Sequence, residues 1–312
     1  MIKIESVPKR LYKYRAFDAK TVDLLVADQV YYADPSTFND PFDTRPSLHA
    51  DILLEQLEQT RTRLVEERVA AEMRAAADTL RYRGPKTMDH IFKQARREAA
   101  QGRTEIAYAA TNPDCDEGAQ AWLLGHQIEM ELLRRVEKGV LSLAKRCSCP
   151  LMWSHYGDQH RGLCIGYSIP EEAKPKLKKV SYGGNRMVEA SKVAAMLDGD
   201  AIASAEVDEA VFLRKASDWR YEKEWRHFGK RGIADSPLDL EEIVFGARCL
   251  PTVKHTVLKA LAGRAQKIDL YEIRETPGSF KLNRYKLDEA ELATSYPRRS
   301  RSVIEDFDFV EK

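Results

Sequence analysis

Tyr221-Glu222-Lys223-Glu224-Trp225-Arg226-His227-Phe228 has the two-residue rhythm of a β-strand. Alternation places Glu222, Glu224 and Arg226 on one face and Tyr221, Lys223 and Trp225 on the other. Around it, residues 138 to 250 carry most of the strand signals. These are Gly139-Val140-Leu141-Ser142-Leu143, Gly162-Leu163-Cys164-Ile165-Gly166-Tyr167, Lys179-Val180-Ser181-Tyr182 and the short Ile243-Val244-Phe245-Gly246. A helix at about Thr252 to Ala265 and a strand at Ile268 to Ile273 follow.

Upstream the character changes. From about residue 50 to 137, Ala, Leu, Glu and Arg dominate and β-branched side chains are few, which predicts amphipathic helices. Gly84-Pro85 and Asn112-Pro113-Asp114 break them. Before these helices, Leu11-Tyr12-Lys13-Tyr14-Arg15 alternates as a strand, and Asp18 is placed to cap a helix running to Ala27. Gln29-Val30-Tyr31-Tyr32 returns to strand character, and Asp34 to Asp43 forms an ordered loop anchored by Phe38 and Phe42. This order has no βαβ rhythm, so the expected fold is α+β, with mixed or antiparallel strands around a central cleft. One domain is expected over residues 1–297, with a helical insertion at about 50–137 and a loose tail over 298–312.

Lys+Arg number 50 and Asp+Glu 49, so the formal charge is +1 and the basic excess of a nucleic-acid coat protein is missing. With 43% hydrophobic and 32% charged residues, the chain can bury a core beneath a charged surface and is not disordered throughout. The cysteines (Cys115, Cys147, Cys149, Cys164, Cys249) are sparse and odd in number, which suits a reducing compartment. No apolar run approaches the ~18 residues of a membrane helix, and Met1 to Ser6 lacks the apolar core of a signal peptide. A cytoplasmic protein without a membrane partner is expected. There is no P-loop, no dinucleotide glycine fingerprint and no second Cys/His pair at zinc-finger spacing beside Cys147-Ser148-Cys149.

On a strand, Glu222 and Glu224 lie about 7 Å apart, close enough for one carboxylate to raise the other's pKa while Arg226 keeps a neighbour ionised. That suits acid–base or cation-stabilising chemistry, and it equally suits an edge strand with a cross-strand ion pair. In Leu151-Met152-Trp153-Ser154-His155-Tyr156, helical spacing puts Met152, His155 and Tyr156 on one face, with Tyr156 reaching His160. Aromatic packing and the wall of a ligand pocket both account for this density of rings. His155 and His160 are not at the spacing that aims two imidazoles to one side, so no metal is expected. On the first strand, Tyr12 and Tyr14 point one way and Lys13 and Arg15 the other. Arg15 suits a phosphate or ribose and a tyrosine suits stacking on a base or nicotinamide ring, although strand packing explains the same pattern. Asn39-Asp40-Pro41 reads as a structural turn in which Asp40 caps backbone donors.

Together, Leu11 to Arg15, Phe38-Asn39-Asp40-Pro41-Phe42-Asp43, Leu151 to Tyr156 with His160-Arg161-Gly162, and Tyr221 to Arg226 form a set. It resembles a widespread bacterial family known chiefly as a domain of unknown function, over about residues 10 to 250. More distantly, the aromatic/Arg first strand, a middle strand with Ser142 and the late Glu-x-Glu resemble the plan of the ADP-ribosyltransferase superfamily. That resemblance implies an enzyme with NAD as substrate and a protein or nucleic-acid acceptor, in the setting of bacterial defence or toxins. By the same resemblance Arg15 or Tyr12 grips NAD, Ser142 shapes the nicotinamide pocket and Glu224 stabilises the ribosyl cation, with Glu222 accessory. Tyr14, Trp153, His155, Tyr156 and Arg226 complete the expected NAD site. The chain departs from the plan in lacking Ser-Thr-Ser on the middle strand. The rival expectation is a non-catalytic module that binds a nucleotide or nucleic acid, using Lys174 to Lys179 and Arg298, Arg299 and Arg301.

Overall fold

Strands from both halves of the chain meet in one eight-stranded sheet in the computed structural model, which describes residues 6–111, 116–134 and 138–298. The expected break at Asn112-Pro113-Asp114 and the tail beyond Arg298 lie outside the described residues. The chain opens with β1 (Arg10–Arg15), α1 (Ala19–Val26) and β2 (Gln29–Tyr32), and Asp18 caps α1 by accepting from the Thr21 amide. After the aspartate-rich loop and β3 (Ser47–His49) come the expected long helices α2 (Leu54–Thr79), α3 (Thr87–Ala110) and α4 (Glu117–Arg134). Gly84-Pro85 falls between α2 and α3, where a proline cannot continue the helix.

Next are β4 (Lys138–Ala144), α5 (Pro150–Tyr156), β5 (Leu163–Ser168), β6 (Leu177–Lys179), β7 (Ser181–Tyr182) and β8 (Met187–Glu189). Two helices not expected from the sequence follow, α6 (Ala190–Leu197) and α7 (Ala201–Phe212). Their signal was local: Asp200 caps α7 by accepting from the Ile202 and Ala203 amides. The described residues end with β9 (Arg214–Lys215), β10 (Glu224–Lys230), β11 (Gly232–Asp235), β12 (Asp239–Phe245), α8 (Pro251–Leu261), β13 (Asp269–Glu275), β14 (Leu282–Lys286) and α9 (Glu289–Ser295). The sequence reading missed β14, whose mostly exposed residues carry no apolar alternation.

The large sheet runs β14-β13-β12-β5-β1-β4-β10-β6. Only β12 and β13 are parallel, so the fold is α+β with an open mixed sheet. Pleating divides the side chains. One face sends Leu11, Leu141, Leu143, Ile165, Trp225 and Phe245 into a core closed by Leu25 of α1, Val257 of α8 and Leu292 of α9. Each such large side chain withdrawn from water stabilises the fold by about 2 kcal/mol. The opposite face packs Tyr14, Ala144, Cys164 and Val244 against Met152 and Trp153 of α5. A third core joins α2 and α4 to α6 and α7 through Leu64, Ile128, Val193 and Val207, with Phe228 of β10 against it. The inserted helices therefore lean on the elements that lead into β10.

β2 crosses the large sheet through one aromatic. Tyr32 lies on Gly139 and Gly229, a cross-strand pair, with its Cβ over Gly139, and a Cβ added at Gly229 would come within 2.6 Å of its ring. No larger residue fits beneath it. The Tyr32 hydroxyl meets His227 Nδ1 at 2.9 Å, and both residues are buried. Burial and nearby Lys176 lower the His227 pKa to about 4. The neutral ring is thus the folded form, and between about pH 6.5 and 4 the unfolded chain binds the extra proton. Stability from this group is present above pH 6.5 and is lost as the pH falls toward 4. The melting temperature should fall across that window, and His227→Gln should flatten the dependence there. An unchanged slope in the variant would remove His227 as its cause.

Candidate functional site

β1 and β4 are in register at Tyr12 and Ala144, and a cavity of about 460 Å³ opens beside that point. Its lining includes Tyr12, Lys13 and Tyr14 of β1 together with Ser142, Leu143 and Ala144 of β4. Consecutive residues of a strand point to opposite faces, so a cavity bordered by consecutive residues of two strands lies at the gap between them. Met152, His155 and Tyr156 of α5 form another wall, with Phe38, Asn39 and Asp43 of the aspartate-rich loop. Lys215, Glu222 and Glu224 line it as well.

The two glutamates meet by a route that alternation did not anticipate. Glu222 is not in a strand. It ends a short 3-10 turn (Ser217–Glu222), Lys223 adopts a left-handed conformation at φ +46, and β10 begins only at Glu224. The turn at Lys223 returns the chain so that both carboxylates reach one ammonium. Lys215 Nζ lies 2.7 Å from Glu222, 3.4 Å from Glu224 and 3.2 Å from Asp43. Beneath it the Arg226 guanidinium is fully buried. It donates to Glu224 Oε1 at 2.8 Å, to Asp43 Oδ2 at 2.6 Å and to the Phe212 carbonyl at 2.7 Å. Three carboxylates and two cations thus share one buried network. Thr44, beside Asp43, is held at φ +58, an uncommon conformation for a β-branched residue.

These surroundings separate the carboxylates. Burial pushes Glu224 up, but Arg226 and Lys215 overcome it and bring its pKa down to about 2. For Glu222, burial and the charge of Glu224 outweigh Lys215, and its pKa is raised. Tyr156 donates its hydroxyl proton to Glu222 Oε1 at 2.8 Å. Burial and Arg15 together lower Lys13 to about 8, against the pull of Glu224 and Glu222. Its Nζ donates to the Ser142 carbonyl at 3.1 Å.

Of the residues expected at an NAD site, the structure brings Tyr12, Tyr14, Ser142, His155, Tyr156, Glu222 and Glu224 to this cavity. Arg15, Trp153 and Arg226 do not line it. Arg15 shares the pleat of Lys13 but lies at the end of β1, near Tyr167 and Asp18. Trp153 is buried edge-on to Tyr14 with its indole N–H on the Cys147 carbonyl, because it faces the sheet while Met152, His155 and Tyr156 face the cavity. Arg226 acts one layer below, through Glu224 and Asp43. Sequence reasoning missed Lys13, Asp43 and Lys215. Asp43 was visible within Phe38 to Asp43, but nothing local distinguishes it from Asp40, whose carboxylate accepts from the Phe42 amide at 2.9 Å as a turn residue should. Among the described residues no group of three or more His, Cys, Asp or Glu forms a metal-ligand set, and no helix is long and apolar enough to cross a membrane.

Arg226→Met leaves Asp43 and Glu224 buried with one cation fewer. It should cost about 3–5 kcal/mol in urea unfolding, the scale for breaking a buried ion pair. Asp40→Ala should cost only about 1 kcal/mol, the scale of one lost cap. Equal costs would show that the network carries no special share of the stability.

Compared with known protein families, residues 152–227 match the one described as "Protein of unknown function (DUF2971)". That segment contains the helix with His155 and Tyr156 as well as Lys215, Glu222, Glu224 and Arg226, but not β1 or the loop with Asp43. No curated protein and no solved structure matches the chain. The similarity to a family of unknown function thus covers much of the charged network.

Proposed function

We propose that the cavity is the active site of an ADP-ribosyltransferase-like enzyme that uses NAD as a substrate. The observation that carries this reading is the pair of carboxylates on one wall whose environments drive them apart, facing an aromatic wall. Breaking the nicotinamide–ribose bond sends its electron pair to the ring nitrogen and leaves positive charge on the sugar. A carboxylate that stays ionised at every physiological pH opposes that charge, and Glu224 is such a group. Attack by the acceptor's oxygen or nitrogen releases a proton, and Glu222, raised above the usual carboxylate range, is the better base to receive it. Tyr12, Tyr14 and Tyr156 offer ring faces and edges to a flat nicotinamide. Among these groups the acceptor, protein or nucleic acid, has no dedicated contact.

A second reading has one observation in its favour. Both Glu224 oxygens already accept from Arg226, and one also meets Lys215, as in a purely structural network. On that reading the cavity binds a nucleotide or nucleic acid without chemistry.

Nicotinamide release from NAD by the purified protein separates the two. Glu224→Gln should lower release by at least ~100-fold, the scale of one key electrostatic contact. Glu222→Gln should retain more of it. Because Glu222 acts in its ionised form, the rate should rise with pH through its raised pKa, and that limb should vanish in Glu222→Gln. Folding of both variants is checked by their melting curves. Full turnover in a folded Glu224→Gln protein, or none in the wild type with any acceptor, ends the transferase reading and leaves the binding module.

A further inference from the structure

A second cavity, of about 640 Å³, adjoins the first and shares Lys215 with it. Its lining includes the loop Gly183-Gly184-Asn185-Arg186 between β7 and β8, with Arg214 and Ser217 beside it. Gly183 and Gly184 both have positive φ, +85 and +79; the Gly183 amide is bonded to the Lys215 carbonyl, but a Cβ at Gly184 would meet nothing within 4 Å, so Gly184 offers bare backbone to the groove. Arg186 lies over the Phe42 ring at 5.0 Å, next in sequence to Asp43 of the first cavity. Arg214 Nη1 donates to the Asn185 carbonyl at 3.2 Å, and Arg220 Nη2 donates to the Tyr182 carbonyl at 3.4 Å. Among the described residues none of these three arginines has a carboxylate partner within salt-bridge distance. Asp218 is the acid on the lining, against Arg186, Arg214 and Lys215. Lys215 is already committed to three carboxylates, so the open positive charge belongs to the arginines.

We infer that this groove is a subsite for the phosphate groups of a nucleotide. Planar guanidinium forks match phosphate oxygens in pairs, and a glycine loop lets the anion approach the backbone. Its contact with the first cavity at Lys215 lets one ligand span both, with the phosphates over the arginines and a ring among the tyrosines. That span rests on the NAD reading above, whereas the anion site does not.

The test is calorimetric titration of the full chain with inorganic pyrophosphate and with ADP-ribose. Both should bind the wild type. Arg186→Glu, at an exposed position that leaves the melting curve intact, should weaken pyrophosphate by at least about tenfold, as should Arg214→Gln. Glu224→Gln should not weaken pyrophosphate binding, since it only relieves Lys215 of one carboxylate. Absence of pyrophosphate binding, or equal affinity in wild type and Arg186→Glu, overturns the site. A single-stranded oligonucleotide that binds through Arg186 while pyrophosphate and ADP-ribose do not also overturns it, in favour of a nucleic-acid contact. Pyrophosphate binding without nicotinamide release upholds the subsite and sinks the NAD reading alone.

Discussion

A guanidinium with no access to water must be neutralised where it lies, and Arg226 sets that requirement for this fold. Its partners come from three elements: Asp43 from the aspartate-rich loop far upstream, the Phe212 carbonyl from the end of α7, and Glu224 from its own strand. Each must be in place for the charge to be tolerated, so the interaction ties the aspartate-rich loop and the α6–α7 pair to the large sheet. The walls of the cavity inherit their positions from this constraint. Lys215 extends the same logic one layer outward, though two cations still face three carboxylates where the network meets the cavity.

The network also explains why two glutamates of one short segment differ. Glu224 faces Arg226 directly and is fixed in charge, while Glu222 shares Lys215 with two other carboxylates and has no arginine of its own. Distance to the buried cation, rather than exposure, separates them. Tyr156 and Tyr182 add fixed contacts, one donating to Glu222 and the other accepting from the Glu224 amide at 2.7 Å.

Much of this was legible in the sequence, for identifiable reasons. Strongly apolar strands such as Gly139 to Leu143 and Gly162 to Tyr167 appeared where expected, because buried central strands advertise themselves by continuous hydrophobicity. Capping at Asp18 and the helices after residue 50 followed from side-chain chemistry that acts within a few residues. Glu222 was read as a strand residue because alternation cannot register a left-handed turn at a lysine, which only tertiary contacts impose. Lys13 and Lys215 look like ordinary surface lysines in the sequence. Their placement follows from contacts distant in the chain: Lys13 reaches the Ser142 carbonyl across a gap between strands, and Lys215 reaches Asp43. Arg15, assigned by resemblance, sits at the end of β1, and Trp153, expected from its ring-rich segment, turns toward the sheet.

The single register pair between β1 and β4 has a mechanical meaning. Elsewhere neighbouring strands of the sheet are laced by several successive pairs, seven of them between β10 and β4 and six between β1 and β5. The sheet is therefore two stiff leaves joined at Tyr12 and Ala144, one running β14 to β1 and the other β4 to β6. A seam with so few ladder bonds is where the sheet yields first under local fluctuation. Because the cavity lies along that seam, small rotations of one leaf against the other change its width without unfolding either. Widening at that seam would leave the ladders and cores of both leaves intact, as a book opens at its spine.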